Sequence, residues 1–148
     1  MTTELLAPAG GQEALVAAVQ SGADAVYMGF GAFNARRSAR NFSDEEFRAA
    51  VSYCHLRGVK VYLTLNTLVT DRELPALAAE ARTASECGVD AILVQDWGVL
   101  ATLQKIIPDV PLHASTQMSL HTLSGVQEAA RPVSYTHLRA HETKANLV

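Results

Sequence analysis

The sequence predicts an α/β protein that contains the first five strand and helix units of an incomplete (β/α)8 barrel of the TIM type. The main observation is a repeated segment, Gly-Ala-Asp-Ala-Val-Tyr at residues 22–27 and Gly-Val-Asp-Ala-Ile-Leu at residues 88–93. A weaker third copy, Gly-Val-Lys-Val-Tyr, occupies residues 58–62. In each copy a glycine that suits a helix end precedes an apolar strand. Strands and helices that alternate in this way form parallel sheets covered by helices.

The composition is typical of a soluble protein of one domain or less, because 49% of its 148 residues are hydrophobic and 18% are charged, with a formal net charge of -3. No apolar run approaches the roughly 20 residues that a bilayer span needs. The N-terminus lacks the basic and then apolar pattern of a secretory signal. We therefore expect a cytoplasmic protein without a membrane partner.

Three strands and two helices are predicted in the first half of the chain. The first strand covers residues 4–9, and the helix after Gly10-Gly11 ends at Gly22. A second strand at residues 23–28 leads through a long loop to a second helix. Ser43 and Glu46 have the spacing of a capping box at the start of that helix. The third strand follows Gly58 and covers residues 59–66.

The second half continues the alternation. We expect Asp71 to cap the third helix and Pro75 to lie in its first turn, where proline is tolerated. The fourth strand is predicted at residues 89–95 and its helix at 98–107. The fifth strand is predicted at 112–118, and the fifth helix begins near Thr122.

The pattern stops near residue 131, so we predict a barrel portion at residues 1–130 and a tail at residues 131–148. The tail predicts neither a sixth strand nor a helix cap. It resembles translated sequencing-adapter read-through, and we expect it to be a non-native segment with irregular structure. Its His137 and His141 lack the His-Glu-x-x-His motif of a zinc site.

Polar residues favour the barrel over the other fold that five units allow, a doubly wound flavodoxin-like sheet. Central strands of an open parallel sheet are almost entirely apolar. Here polar residues share one face of strands three and five: Tyr62, Thr64 and Asn66, and His113, Ser115 and Gln117. A barrel that stops after five units would leave its first and fifth strands with unpaired edges and its apolar interior exposed.

The candidate site lies at the C-terminal ends of the strands, where barrel enzymes place their chemistry. Gln95, Asp96 and Trp97 follow strand four. The loop after strand two holds Arg36, Arg37 and Arg40 and no acidic residue. Arginine binds phosphate or carboxylate, and the nearby Phe30 and Phe33 could stack on a base. The alternative is that this is a solvated loop whose aromatic residues pack into the barrel rim, and that the polar strand residues only hydrogen-bond to neighbouring loops.

Several separated motifs resemble the collagenase-like peptidase family of the unassigned-mechanism U class. They are Glu-Leu-Leu-Ala-Pro-Ala-Gly at 4–10, Gly-Ala-Asp-Ala-Val-Tyr at 22–27, Asn-Ala-Arg at 34–36, Asn-Phe-Ser at 41–43, Leu-Asn-Thr at 65–67 and His-Ala-Ser-Thr-Gln at 113–117. The resemblance covers residues 4–130 and implies a TIM-type barrel. Some members of the family are described as proteases, and others support hydroxylation of tRNA or rRNA bases or of a quinone precursor.

The hydroxylation branches use an iron-sulfur cluster, so the resemblance implies this cofactor for a full-length parent. The cluster ligands of the family follow the His-x-Ser-Thr-Gln segment and are missing here, and neither Cys54 nor Cys87 matches one. Two thiols cannot supply the four ligands of such a cluster. We therefore predict no cofactor in this chain and interpret both cysteines as small buried hydrophobic residues.

Within the resemblance, we expect a truncated member whose parent supports RNA base hydroxylation, with RNA as its partner. His113, Asn66 and Asp96 are the candidate catalytic residues, with His113 suited to proton transfer because imidazole titrates near neutrality. The candidate substrate-binding residues are Tyr27, Arg36, Arg37, Arg40, Trp97, Ser115 and Gln117. A peptidase acting on denatured collagen and a non-enzymatic RNA-binding or partner-binding scaffold are the alternatives, although no Gly-x-Ser-x-Gly or His-Glu-x-x-His motif occurs.

Overall fold

The protein is a parallel sheet whose strands lie side by side in chain order. A computed structural model describes residues 3–34, 42–133 and 135–136. The elements are β1 (Leu6–Pro8), α1 (Gln12–Gln20), β2 (Ala25–Met28), α2 (Asp44–His55), β3 (Lys60–Leu65), α3 (Leu74–Cys87), β4 (Ala91–Val94), α4 (Trp97–Ile106), β5 (Leu112–Ala114), a 3-10 helix (Thr116–Met118), α5 (Leu123–Ala129) and β6 (Tyr135–Thr136).

The strand order decides between the two folds that the sequence allows. The sheet runs β1-β2-β3-β4-β5-β6, and every neighbouring pair is parallel. A flavodoxin-like sheet would have the order 2-1-3-4-5. Because parallel crossovers are almost always right-handed, strands laid down in one direction place their helices on a single face. The structure therefore confirms the first five units of a TIM-type barrel.

The helices cover one face of the sheet and form the main hydrophobic core with it. Each of the first four helices contributes a large side chain with no exposed surface: Leu15, Phe47, Leu77 and Leu103. The other face, here called the inner face, has a smaller buried cluster made of Ala25, Tyr62, Ala91 and Leu93. In the part of the chain that the structure describes, no helix is long and apolar enough to cross a membrane.

The start of α2 is fixed by the predicted capping box. The Glu46 backbone N–H donates to Ser43 Oγ at 3.2 Å, and the Ser43 backbone N–H donates to Glu46 Oε2 at 2.9 Å. Phe42 and Phe47, on either side of the cap, are both buried in the main core. This arrangement satisfies two backbone donors at the helix start that would otherwise lack partners.

The predicted cap of α3 was wrong. The helix begins at Leu74 with Glu73 as its N-cap residue, and Asp71 is exposed in the preceding turn. Glu73 Oε2 closes that turn by accepting from both the backbone N–H and the hydroxyl of Thr70, at 2.8 Å each. The turn therefore places the helix start two residues later than a cap at Asp71 would. Pro75 lies in the first turn, as expected.

Strand five is shorter than the predicted span of residues 112–118. It ends at Ala114, and a 3-10 helix follows. Ser115 caps this helix by accepting a hydrogen bond from the Gln117 backbone N–H at 3.3 Å. Gln117 therefore does not belong to the strand, and the predicted alternation along one strand face ends before it.

A sixth strand was not expected, but residues 135–136 pair in parallel with β5. The edge of the fifth strand is therefore covered, contrary to the expectation of a free edge. The inner face is also less exposed than expected. Ala25 and Ala91 have no exposed surface, and Tyr62 and Leu93 keep less than a tenth of their surface exposed. The origin of residues 131–148 stays a prediction.

The repeated segments have a shared structural role. Asp24 Oδ2 accepts from the Leu5 backbone N–H, and Asp90 Oδ2 accepts from the Val61 backbone N–H, both at 2.7 Å. Each aspartate, at the start of one strand, thus binds the start of the strand before it. The weaker third copy has Lys60 at this position, and its ammonium donates to Glu4 at 2.9 Å instead.

We predict that Asp90→Ala lowers the free energy of unfolding by about 1–3 kcal/mol, because it leaves the N–H of the buried Val61 without an acceptor. His55 also loses its 2.9 Å contact with the Asp90 carboxylate. Urea denaturation would measure the loss. Asp71→Ala, at an exposed aspartate outside any cap, is the matched control and should change stability by no more than about 0.5 kcal/mol. Equal effects of the two substitutions would contradict the role of Asp90.

Candidate functional site

The candidate site comprises the inner face of the sheet and the adjoining C-terminal ends of its strands. The strand register aligns Thr64 on β3 with Leu93 on β4, and Leu93 with His113 on β5. Neighbouring residues in such a register point to the same side of a parallel sheet. Because Leu93 belongs to the inner cluster, His113 also lies on the inner face.

His113 is half-buried and packs against an aromatic neighbour. Its ring meets the ring of Tyr62 edge to face, with centroids 5.0 Å apart and planes at 71°. The Tyr62 hydroxyl donates to Glu4 Oε1 at 2.8 Å, and Lys60 Nζ donates to Glu4 Oε2 at 2.9 Å. Burial raises the pKa of Glu4, but these two hydrogen bonds and the nearby positive charges outweigh it, so that the pKa is lowered.

Asn66 and Ser115 are brought together at the C-terminal ends of β3 and β5. Asn66 Nδ2 donates to Ser115 Oγ at 3.4 Å, across the intervening strand β4. The Ser115 backbone N–H also donates to the carbonyl oxygen of Val94 at 2.8 Å, which fixes the serine beside β4. The structure thus joins two of the predicted site residues, one a catalytic candidate and one a substrate-binding candidate.

Asp96 has a structural task that the sequence analysis did not assign. Its Oδ1 accepts from the backbone N–H groups of Gly98 at 2.7 Å and Val99 at 3.0 Å, so Asp96 is the N-cap of α4. Trp97, the first residue of that helix, keeps 48% of its surface exposed. The indole is therefore open to a ligand, whereas one oxygen of the Asp96 carboxylate is already engaged. A catalytic role for Asp96 stays a prediction.

The remaining predicted polar residues differ in their exposure and in their hydrogen bonding. Tyr27 is half-buried on β2, beside Tyr62 in the register. Gln117 is exposed in the 3-10 helix. The Thr64 hydroxyl donates to the carbonyl oxygen of Met28 at 3.1 Å. This hydroxyl therefore bonds to the backbone of β2 instead of to a ligand.

The predicted basic loop lies only partly in the described structure, since Arg36, Arg37 and Arg40 are outside the described residues. Phe30 stacks on Phe47 of α2 with ring centroids 4.6 Å apart and is 4% exposed. Of the two alternatives for Phe30, packing against the protein is therefore confirmed and stacking on a base is wrong, because the core already covers its ring. Phe33 is partly buried and packs against the same core.

A turn at the start of this loop is held by a buried amide. Asn34 has no exposed surface, and its Nδ2 donates to the carbonyl oxygen of Gly31 at 3.4 Å. A Cβ atom on Gly29 would come within 2.8 Å of both polar atoms of the Asn34 amide, closer than side chains tolerate. The Asn34 side chain thus requires glycine at position 29.

Glu80 on α3 is a partly buried carboxyl group that the sequence analysis missed. Its Oε2 accepts from the Ala32 backbone N–H at 3.2 Å, while its Oε1 is buried without a hydrogen-bond partner. Burial, with a smaller contribution from the negative charge of Asp44, raises the pKa of Glu80 to about 7, although the hydrogen bond from Ala32 acts in the opposite direction. The sequence contains a signal for this partial burial, which is the spacing of apolar residues along α3. Glu80 lies three residues after Leu77 and one before Ala81, on the buried stripe of the helix.

The described residues do not fit an iron-sulfur cluster. Cys54 on α2 is buried, and burial raises the pKa of its thiol to about 11. Burial also raises the pKa of Cys87, which is on α3. Among the described residues, no group of three or more His, Cys, Asp and Glu side chains could hold a metal ion. A protonated, buried thiol is equally unsuited to be a nucleophile.

Comparison with known proteins identifies similar sequences over most of the chain. The model of the family described as peptidase family U32 matches residues 10–133. The chain is 36% identical over 124 residues, 84% of its length, to the tRNA hydroxylation protein P1 of Bacillus subtilis. It is 41% identical over 122 residues, 81% of its length, to the 23S rRNA 5-hydroxycytidine C2501 synthase of Escherichia coli. It is 33% identical over 129 residues, 86% of its length, to a collagenase of Porphyromonas gingivalis.

The chain spans 29%, 18% and 31% of these three relatives, in the same order. Among solved structures, a U32 peptidase superposes with a TM-score of 0.68 at 16% identity, covering 89% of this chain and 56% of the other. A phosphonopyruvate hydrolase superposes with a TM-score of 0.62 at 20% identity, covering 92% and 53%. These two similarities concern the fold alone.

We predict that the free energy of unfolding falls between pH 5 and pH 8 through Glu80, since its pKa in the folded protein lies above the ordinary carboxyl value. The folded state then binds the proton more tightly than the unfolded state, and this stability is lost as the pH rises towards 7. Urea denaturation at several pH values would show a flatter dependence for Glu80→Gln. Glu86→Gln, at an exposed glutamate of the same helix, is the control and should keep the dependence of the unmodified chain. Parallel profiles for all three proteins would contradict the assignment.

Proposed function

Because the chain belongs to peptidase family U32, we propose that it takes part in the hydroxylation of RNA bases in tRNA or rRNA. Two of the three relatives described above are named for RNA hydroxylation or hydroxycytidine synthesis. The observation that carries the proposal is the arrangement at the strand ends. Asn66 and Ser115, which are hydrogen-bonded to each other, follow β3 and β5, and the exposed indole of Trp97 follows the strand between them, β4. The half-buried imidazole of His113 lies on the inner face of the same sheet.

Each group suits a planar, hydrogen-bonding substrate such as a nucleobase. Trp97 offers an aromatic surface for stacking, a contact that every base can make. Tyr27 is proposed as the second aromatic flank. Asn66, Ser115 and Gln117 supply amide and hydroxyl groups that can hydrogen-bond to the edges of a base. His113 is proposed to transfer a proton, since imidazole exchanges protons near neutral pH.

The backbone of the RNA is proposed to meet the arginines of the basic loop. Arg36, Arg37 and Arg40 belong to a segment without acidic residues in a chain of net charge -3. Guanidinium groups bind phosphate through paired hydrogen bonds. Asp96 is proposed to orient the first turn of α4, and thereby Trp97, by its cap. RNA as the partner favours a cytoplasmic location.

The oxygen-transfer chemistry is not assigned to the described residues. The two thiols do not fit a cluster, so we derive no step through one. The iron-sulfur cluster implied by the family resemblance is proposed to be bound outside the described part of the chain. The proposal here concerns how this chain binds and orients a base and where a proton is held.

A peptidase acting on collagen-like substrates is the second candidate, because one relative is named a collagenase. Cleavage of denatured collagen by the purified protein, without any change in RNA nucleosides on deletion of its gene, would favour this candidate. The buried and protonated Cys54 weakens it, since that thiol cannot serve as the nucleophile. A scaffold without activity would instead bind RNA and leave its nucleosides unchanged.

We predict that His113→Ala abolishes RNA hydroxylation while the fold is retained. The gene would be deleted in the organism that encodes it, and the strain complemented with the unmodified or the substituted gene. Mass spectrometry of RNA nucleosides should show the hydroxylated nucleoside restored by the first and not by the second. His121→Ala, at an exposed histidine outside the site, should restore it fully. Hydroxylation at the unmodified level with His113→Ala would rule out a catalytic role for His113.

We predict that replacing Arg36, Arg37 and Arg40 together by alanine weakens tRNA binding and flattens its salt dependence. Removal of three phosphate contacts should reduce the slope of log K against log salt by about 2, at roughly 0.7 per contact for single strands. Fluorescence anisotropy at several salt concentrations would measure both. The control removes the same positive charge at three exposed sites away from the loop: Arg57, Arg82 and Lys105. Equal losses for the two triple variants would show that only net charge matters.

A further inference from the structure

Glu4 forms a polar connection across the inner face of the sheet. It lies two residues before Leu6 of β1, yet its carboxylate binds two side chains of β3, beyond the intervening strand β2. One oxygen accepts from the Tyr62 hydroxyl at 2.8 Å, and the other accepts from Lys60 Nζ at 2.9 Å. The carboxylate is therefore held at both oxygens, which fixes its orientation.

Tyr62 extends this connection to the proposed catalytic residue. Its side chain is 6% exposed and belongs to the inner cluster, so its ring has little freedom to move. The ring meets His113 edge to face, with centroids 5.0 Å apart. Since β4 separates β3 from β5, the contact crosses a second strand. Glu4, Tyr62 and His113 therefore form one continuous arrangement from the first strand to the fifth.

Glu4 and His113 both contact Tyr62, Glu4 at the hydroxyl and His113 at the ring. A positive charge on His113 lowers the pKa of Glu4, so the two groups interact electrostatically. This interaction is reciprocal, because a carboxylate that is favoured by a cation also favours that cation. The groups facing His113 in the described part of the inner face are Tyr62 and the Leu93 side chain, with Glu4 and Lys60 beyond the tyrosine. Lys60 opposes the effect of Glu4 and is partly neutralised by it.

We propose that Glu4 is a positioning residue for His113, which acts through Tyr62 to hold the imidazole on the inner face and to favour its protonated form. The inference rests on the proposed function only in giving His113 a task in proton transfer. A base that accepts a proton during turnover needs a partner for the resulting positive charge, and the geometry gives this role to Glu4. The same charge distribution would make His113 a better proton acceptor at neutral pH.

The test is the titration of the His113 imidazole by NMR in the 148-residue chain, with His113→Gln used to assign its signals. Glu4→Gln keeps the shape of the side chain but removes its charge, and should lower the midpoint by about 0.5–1 pH unit. Tyr62→Phe removes the hydroxyl that orients the carboxylate and should give a smaller decrease. Glu13→Gln, at an exposed glutamate of α1, is the matched control and should leave the midpoint unchanged.

Lys60→Met provides a test with the opposite sign. It removes the competing positive charge and should raise the His113 midpoint, even if Glu4→Gln prevents folding. A midpoint that is the same in the unmodified chain and in the Glu4 and Lys60 variants would overturn the proposal. The titration is independent of RNA. An unchanged nucleoside content with His113→Ala would refute the catalytic role, whereas an unaffected midpoint would refute only the coupling to Glu4.

Discussion

The structure depends on one constraint, which is that every strand is hydrogen-bonded to its neighbours in chain order and in parallel. Parallel neighbours require a crossover, and right-handed crossovers in a constant direction place the helices on one face. That face becomes the main core. In the described part of the chain, the buried cluster of the inner face is made of strand side chains, and the same face carries tyrosines, a threonine and a histidine. The architecture and the candidate site therefore have the same origin.

The repeated segments show how a short sequence can both build this sheet and vary within it. Where the repeat has aspartate, at Asp24 and Asp90, the carboxylate binds a backbone N–H at the start of the preceding strand. Where it has lysine, at Lys60, the opposite charge reaches a carboxylate on the inner face. The repeat thus supplies a stabilising contact in two copies and a polar contact beside the candidate site in the third. With lysine in place of aspartate at this position of the repeat, the contact is to a side chain instead of to the backbone.

Much of the fold could be predicted from the sequence because its signals are local. The glycines that end α2 and α3 and the capping box at Ser43 act over a few residues, so the order of elements was correct. The details that failed depend on contacts between separate segments or on competing turns. Thr70 and Glu73 form a turn that displaces the cap expected at Asp71, and the Ser115 hydroxyl ends strand five early. The sequence leaves open whether Phe30 stacks on a ligand or packs at the rim, because its packing partner, Phe47, lies seventeen positions later.

The close approach of Gly31 to Glu80 has a consequence for how the chain can vary. Gly31 has a left-handed backbone (φ 62°), and a Cβ atom there would overlap the carboxylate of Glu80. A larger residue at position 31, which lies in a turn, would have to accept an unfavourable backbone conformation and also displace the carboxylate of Glu80 on α3. The choice of residue at position 31 is thereby restricted by Glu80, although forty-nine positions separate the two residues in the chain. They should be inherited together, as a pair, wherever this turn is kept.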